Sequence, residues 1–189
     1  FVRLGTEHPK ADGTSICIDD RQASYKITEY LISLGHKHIG FIKGHVDYET
    51  TRHRLLGYQE ALKANGLIIT NELIIQGDFS YASGLVSTER LLSLTKKPSA
   101  IFASNDEMAA GALAAAYKKG LRVPDSLSIV GFDDSPIAMA VYPQLTTVRQ
   151  SLSDMIEKAV EILAKPQTDN KNKIVILDHA LVLRDSTGP

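Results

Sequence analysis

The sequence is poor in several features that mark particular classes of protein. It holds one cysteine, Cys17, so no disulfide can form within the chain, and this suits a reducing cytosol. The 21 Lys and Arg residues are balanced by 22 Asp and Glu residues, whereas a free-standing nucleic-acid-binding module usually carries a basic excess. No stretch approaches the ~20 apolar residues that cross a bilayer. We therefore expect a cytoplasmic protein that has no membrane contact and does not bind DNA through this chain.

The sequence also lacks the short motifs of common α/β enzymes. Neither GxGxxG nor GxSxG occurs, and residues 35–40 have the glycine spacing of a phosphate-binding loop without its Lys-Ser/Thr ending. His36 and His38 would need a third metal ligand that the sequence does not supply. Asp133 and Asp134 could belong to the phosphoacceptor pocket of a receiver domain, but the other acidic residues and the lysine of such a pocket are missing at the required spacing. We predict no catalytic residue, no cofactor and no metal site.

The composition that remains is suited to a globular core. Of the 189 residues, 43% are hydrophobic, and a chain of this length buries roughly 70% of its unfolded surface. Apolar residues alternate between a helical period and short continuous runs typical of buried strands, at residues 38–42, 73–75, 100–103 and 127–132. Helices that alternate with buried strands predict an α/β fold with a doubly wound parallel sheet, covered on both faces.

Ligands of such sheets bind at the carboxyl ends of the strands. In this sequence those ends are predicted at residues 44–51, 76–81, 104–107 and 133–136. We therefore expect the binding residues to come mainly from these four windows.

The pattern changes after Pro143 and no longer continues the β-α series. This change indicates that the chain returns to a neighbouring subdomain. The chain also opens on Phe1 in an apolar run typical of a strand interior, so we expect it to be a piece of a longer protein. The tail is predicted to contain, in order, an extended segment, an amphipathic helix, a polar loop and two strands, at residues 145–148, 152–163, 166–173, 174–177 and 180–183.

Seven segments of the sequence carry patterns that are weak singly and specific in their shared order. Residues 103–112 match xxNDxMAxGA, and residues 120–134 match GxxVPxDxSIxGFDD except at position 126, where Ser126 stands in place of the aspartate. Together the segments resemble the effector-binding core of the LacI/GalR family of bacterial transcription regulators. The seven segments are residues 18–20, 34–39, 54–58, 103–112, 120–134, 143–148 and 183–187.

The resemblance implies a type I periplasmic-binding-protein-like fold, with one full subdomain and part of a second. It assigns residues 1–18 to a remnant of the N-terminal subdomain and residues 19–146 to the C-terminal subdomain. Residues 147–173 would be a return segment and helix of the N-terminal subdomain, and residues 174–189 the closing strands of the C-terminal one. The DNA-binding head of such regulators has no counterpart in this sequence, so DNA contact is expected only through an N-terminal head absent from the chain.

The resemblance also implies a small polar effector, such as a sugar, held between the subdomains. Arg54 aligns with the family's ligand arginine, and its alternative is a surface salt bridge. Asp133 would accept hydrogen bonds from ligand hydroxyls, and its alternative is a turn or helix cap. Asn105 would face the ligand and leave capping or interface work to Asp106, while Asp134 would cap the next helix.

Three further residues complete the predicted site. Phe79 aligns with an aromatic residue that packs on the ligand ring, although it could also be an ordinary core residue. Tyr48 is a candidate for setting specificity, and Gln150 lies just past a crossover between subdomains. The predicted ligand contacts are Tyr48, Arg54, Phe79, Asn105, Asp133 and Gln150.

The function implied by the resemblance is effector sensing in a homodimeric LacI/GalR-type regulator, in which subdomain closure around the ligand changes operator affinity. Two alternatives stay open at the level of sequence. One is a periplasmic sugar-binding protein of a transporter, which shares the fold and much of the site. The other is an α/β enzyme, for which no nucleophile-base pair or cofactor loop is present.

Overall fold

Helices and strands alternate along the chain as the apolar periodicity predicts. The computed structural model describes residues 1–5, 13–164 and 173–189. The strands are β1 (Val2–Leu4), β2 (Thr14–Ile18), β3 (Ile39–Lys43), β4 (Ile74–Gln76), β5 (Ala100–Ala103), β6 (Ser128–Val130), β7 (Thr147–Gln150), β8 (Lys173–Leu177) and β9 (His179–Val182). The α-helices are α1 (Asp20–Ser33), α2 (Glu49–Ala64), α3 (Tyr81–Leu92), α4 (Asp106–Lys118), α5 (Pro136–Ala140) and α6 (Leu152–Ala164), and a 3₁₀ turn covers Asn71–Leu73.

The main sheet has four parallel strands in the order β4-β3-β5-β6. Along β5, Phe102 belongs to the core beneath α1 and α2, whereas Ile101 and Ala103 belong to the core beneath α3 and α4. Successive residues of a strand face opposite sides, so a run that is apolar throughout requires a cover on both faces. The predicted doubly wound α/β fold is confirmed.

A second, smaller parallel sheet has the order β1-β2-β8, and α6 packs against β1 and β2. β8 pairs with β2 from Thr14 opposite Lys173 to Ile18 opposite Leu177. The expectation that residues 174–189 are all closing strands of the C-terminal subdomain is therefore wrong for β8, which completes the sheet begun by β1 and β2. The predicted loop at 166–173 lies outside the described residues except for Lys173, which begins β8.

β7 and β9 form an antiparallel ribbon where the chain passes between the two sheets. The closing residues then run along β6, where the Ser186 hydroxyl donates to the carbonyl of Ile129 at 2.6 Å and accepts from the backbone N–H of Thr146 at 2.9 Å. His36 also anchors this segment by hydrogen bonds. Its ring nitrogens lie 2.9 Å from the Ser99 hydroxyl and 3.0 Å from the carbonyl oxygen of Gly188. The last residues are thus part of the main sheet's packing.

In the described part of the chain, no helix combines the length and the apolar character needed to cross a membrane.

Glycines allow the helices to pack closely in pairs. A Cβ atom at Gly57 of α2 would lie 2.1 Å from the carbonyl oxygen of Arg21 on α1. At Gly111 of α4 it would lie 2.1 Å from the carbonyl oxygen of Tyr81 on α3. These atoms are backbone and cannot swing away, so each helix pair requires its glycine.

This close approach predicts the effect of Gly57→Ala. In an open helix the change stabilises by about 1 kcal/mol through helix propensity. Here the added methyl group must push α1 and α2 apart, so we expect a net loss of about 1–3 kcal/mol in the free energy of unfolding. Urea denaturation followed by circular dichroism measures it, with Lys63→Ala on the exposed side of α2 as the control. A Gly57→Ala protein as stable as the control would contradict the packing argument.

Candidate ligand-binding site

Arg54 lies buried at the carboxyl edge of the main sheet, with 4% of its surface exposed. Its Nε donates to a carboxylate oxygen of Asp20 at 2.7 Å, and Nη1 donates to the carbonyl oxygen of Ser104. The guanidinium also stacks on the ring of Phe132, with 3.7 Å between its central carbon and the ring centroid. These contacts fix the plane of the guanidinium, and they exclude the surface salt bridge as its role.

Asp133 follows β6 and faces Arg54. Its Oδ1 lies 3.6 Å from Nη1 of Arg54 and accepts a hydrogen bond from Nε2 of Gln150 at 2.6 Å. Burial raises the pKa of the Asp133 carboxyl, while Arg54 and Gln150 act in the opposite direction. Arg54, Asp133 and Gln150 therefore form one connected polar group, and about a third of the Asp133 side chain (32%) stays exposed.

The loop after β6 carries backbone strain. The φ angles of Asp133 and Asp134 are 114° and 54°, in a region that side-chain-bearing residues rarely adopt. Asp106 stabilises this loop. Its carboxylate accepts one hydrogen bond from the Thr147 hydroxyl at 2.6 Å and another from the backbone N–H of Ser135 at 2.8 Å. Burial raises the pKa of Asp106 to about 6, although these hydrogen bonds oppose the shift. The strained geometry at Asp133 is thus maintained by a fully buried carboxyl group.

The structure assigns the helix-capping role to Asn105 and not to Asp106. Asn105 is the N-cap of α4, since its Oδ1 accepts from the backbone N–H of Met108 at 2.9 Å. Its Nδ2 donates to the carbonyl of Phe79 at 2.9 Å. The assignment of capping to Asp106 was wrong, because Asp106 lies one residue inside the helix and reaches the loop after β6 instead. The prediction that Asn105 faces a ligand stays a prediction.

Phe79 and Tyr48 form an aromatic pair beside the sheet edge. Phe79 has a φ of 73°, and its ring lies so close to Gly44 that a Cβ atom there would be 2.0 Å from the ring. Tyr48, at the N-terminus of α2, meets Phe79 edge-on with 5.9 Å between ring centroids and is 53% exposed. Because the hydrogen bond from Asn105 to the carbonyl of Phe79 fixes this turn, the pair presents an apolar surface of defined position.

Asp134 does not cap a helix, contrary to the sequence-based expectation. Its carboxylate accepts from Nε of Arg149 at 2.6 Å and from Nη2 of Arg184 at 2.6 Å, and the N-cap of α5 is Ser135. Burial works against ionisation, but the two arginines outweigh it and lower the pKa of Asp134. Arg184 is not among the predicted contacts, because its place in the family-like segment 183–187 does not indicate a partner 50 residues away.

A cleft of about 590 Å³ opens beside this polar group. It is bounded by the end of β1, the loop after β6, and the chain from Arg149 into the first turn of α6. Of the predicted contacts, Asp133 and Gln150 line it, whereas Tyr48, Arg54, Phe79 and Asn105 are not part of the lining within the described ranges. Residues at the edges of both sheets thus border one cleft.

Nothing in the described residues suggests a metal site, since no group of three or more His, Cys, Asp or Glu side chains is arranged to hold an ion.

Comparison with known proteins gives the family. A family model described as a periplasmic binding protein-like domain matches residues 28–187. The chain is 38% identical to catabolite control protein A of Priestia megaterium over 177 residues, which is 92% of this chain and 53% of that protein. The chain belongs to the LacI family.

Solved structures agree with this assignment. A putative LacI transcriptional regulator from Bacillus cereus subsp. cytotoxis NVH 391-98 superimposes with a TM-score of 0.91 at 35% identity, covering 98% of this chain and 67% of that one. The transcriptional regulator CelR in complex with cellobiose superimposes with a TM-score of 0.90 at 32% identity, covering 98% and 58%. Several relatives are named as transcriptional repressors or regulators, which are not enzymes. This LacI-family chain spans about half the length of the curated relatives it matches.

The ion pairs of Asp134 predict the effect of Asp134→Asn. Asparagine tolerates the left-handed backbone but removes the charge that faces Arg184, whose side chain is 11% exposed. We expect a loss of about 2 kcal/mol in the free energy of unfolding at neutral pH.

The pH dependence of that loss tests its electrostatic origin. The folded pKa of Asp134 is lowered, so its stabilising contribution is present above the ordinary pKa of an aspartate and is lost as pH falls through the folded pKa. The difference between wild type and variant in urea denaturation should therefore shrink at acidic pH. A difference that stays constant down to pH 3 would contradict an ion-pair role.

Proposed function

We propose that this domain senses a small polar effector, such as a sugar or sugar derivative, for a DNA-binding transcriptional regulator. The observation that supports it most is the connected group of Arg54, Asp133 and Gln150 at the carboxyl edge of the sheet, bordering the cleft. A hydroxyl group both donates and accepts, and this group offers a guanidinium donor, a carboxylate acceptor and an amide. The neighbouring aromatic pair of Tyr48 and Phe79 suits the apolar face of a sugar ring.

The comparisons support the same class of ligand. CelR, which superimposes over 98% of this chain, is named as a cellobiose complex. Another neighbour, from Escherichia coli, is named as a sugar-binding transcriptional regulator. We carry over the class of effector and leave its identity to experiment. The relatives are regulators, so the alternative of a transporter's periplasmic binding protein is not proposed.

In this proposal, the protein closes around the bound ligand, and this closure regulates DNA binding. The effector would join the loop after β6 to the ribbon of β7 and β9, and closure would change the geometry of a homodimer and the operator affinity of a DNA-binding head outside this chain. Such a coupling between two sites is typically worth about 1–3 kcal/mol. The regulator would act in the cytoplasm.

A thermal-shift screen followed by calorimetry tests the site. The full natural protein that carries this chain is screened with common hexoses, pentoses and disaccharides including cellobiose, and the best binder is titrated. We expect Asp133→Asn to weaken its binding at least tenfold, because a charge-assisted hydrogen bond contributes about 1.5–3 kcal/mol. Asp125→Asn, an exposed aspartate paired with Arg122, is the matched control.

Two results would oppose the proposal. If no compound of the screen stabilises the protein, effector sensing of this class is wrong. If the binder is found but Asp133→Asn binds it as tightly as Asp125→Asn does, the ligand lies elsewhere and the assignment of this site fails.

A further inference from the structure

Asp20 is a buried carboxylate that is not among the ligand contacts predicted from the sequence. It is 4% exposed, follows β2 at the start of α1, and holds Nε of Arg54 at 2.7 Å. Arg54 therefore faces two carboxylates, Asp20 on one side and Asp133 on the other, at 2.7 and 3.6 Å. One guanidinium with two carboxylates leaves this buried group with a formal excess of one negative charge.

The negative charge of Asp20 reaches the ligand-facing part of the site. The pKa of Asp133 is raised first by burial and also by the Coulombic effect of Asp20, while Arg54 acts against both. The two other arginines at this edge, Arg149 and Arg184, are both engaged by Asp134. The positive charge of Arg54 is thus already compensated before any ligand arrives.

Arg54 nevertheless keeps a donor for a ligand. Nε and Nη1 donate to Asp20 and Ser104, and Nη2 has no hydrogen-bond partner among the residues that the structure describes. A neutral hydroxyl could accept from Nη2 and donate to Asp133. A phosphate or carboxylate could accept from Nη2 as well, but at that point it would face the two carboxylates that flank Arg54, and Arg149, which also lines the cleft, is already paired with Asp134.

We infer that Asp20 is a specificity-determining residue, which makes this site select uncharged, hydroxyl-rich effectors over their phosphorylated or carboxylated counterparts. The inference rests on the proposed function. It assigns Asp20 a positioning and charge-compensating role through Arg54, without contact between Asp20 and the ligand.

Matched pairs of sugars test the inference in the full natural protein. Glucose is compared with glucose 6-phosphate, galactose with galacturonate, and cellobiose with cellobionate, by titration calorimetry at pH 7.5. We expect each neutral sugar that binds to bind at least tenfold more tightly than its anionic counterpart. This arm needs no variant, so it stands even if substitutions impair folding.

Asp20→Asn then tests the residue. Asparagine keeps an oxygen that can accept from Nε of Arg54, so the geometry of Arg54 is retained while the charge is removed. We expect the ratio of anionic to neutral affinity to rise about tenfold, because removing one negative charge beside Arg54 lessens the repulsion of an anionic ligand. Glu60→Gln is the matched control, because Glu60 pairs with Arg21 between the same two helices but at the surface.

The outcomes separate the inference from the proposed function. A purely structural role of Asp20 would weaken both members of a pair alike and leave the ratio unchanged, which would overturn the inference. Anionic sugars that bind the wild type as tightly as neutral ones would also overturn it, while leaving effector sensing intact. If no member of any pair binds, the proposed function fails and the inference fails with it.

Discussion

The burial of one guanidinium group sets the geometry of the whole sheet edge. A cation taken out of water costs several kcal/mol unless it is paired and hydrogen-bonded, and Arg54 meets this demand with groups from separate segments. Asp20 comes from the start of α1, Ser104 from the end of β5, and Phe132 and Asp133 from the end of β6. Because these partners all contact the same guanidinium, they fix the ends of these elements relative to one another.

The strained residues at this edge follow from the same constraint. Phe79, Asp133 and Asp134 have positive φ angles, and each is secured by a side chain of α4 or by an ion pair. Asn105 holds the turn at Phe79, and Asp106 holds the loop that begins at Asp133. Conformations that cost about 1–3 kcal/mol each persist only where the surroundings determine them. Their concentration at the carboxyl ends of the strands supports the binding site proposed at this edge.

Periodicity predicts most of the fold because burial is a local property of each segment. The strands observed at β3, β4 and β5 lie within one residue of the predicted runs, and the windows predicted for ligand binding do follow the ends of these strands. Pairings between distant segments are not encoded in that pattern. The sequence shows neither that β8 joins β2 nor that Arg184 reaches Asp134. It also does not distinguish Asn105 from Asp106 as the cap, since both residue types suit that position. The resemblance to the family identifies Arg54 and Asp133 as candidates. Only the contacts in the structure show that Asp20 also pairs with Arg54 and compensates its charge.

In the proposed function, the partners of the polar group would link ligand binding to the arrangement of the two sheets. Asp20 directly follows the crossover from β2, and Gln150 ends β7 in the ribbon that runs between the sheets. Two segments that cross between the sheets therefore form hydrogen bonds with this pair: Asp20 accepts one from Arg54, and Gln150 donates one to Asp133. A ligand that competes with Gln150 for Oδ1 of Asp133 exchanges a contact within the crossover for a contact with itself. It can shift the balance between open and closed arrangements by no more than its difference in binding free energy between them. Because that difference would arise where the chain crosses between the two sheets, the proposed sensing requires no separate path through the core.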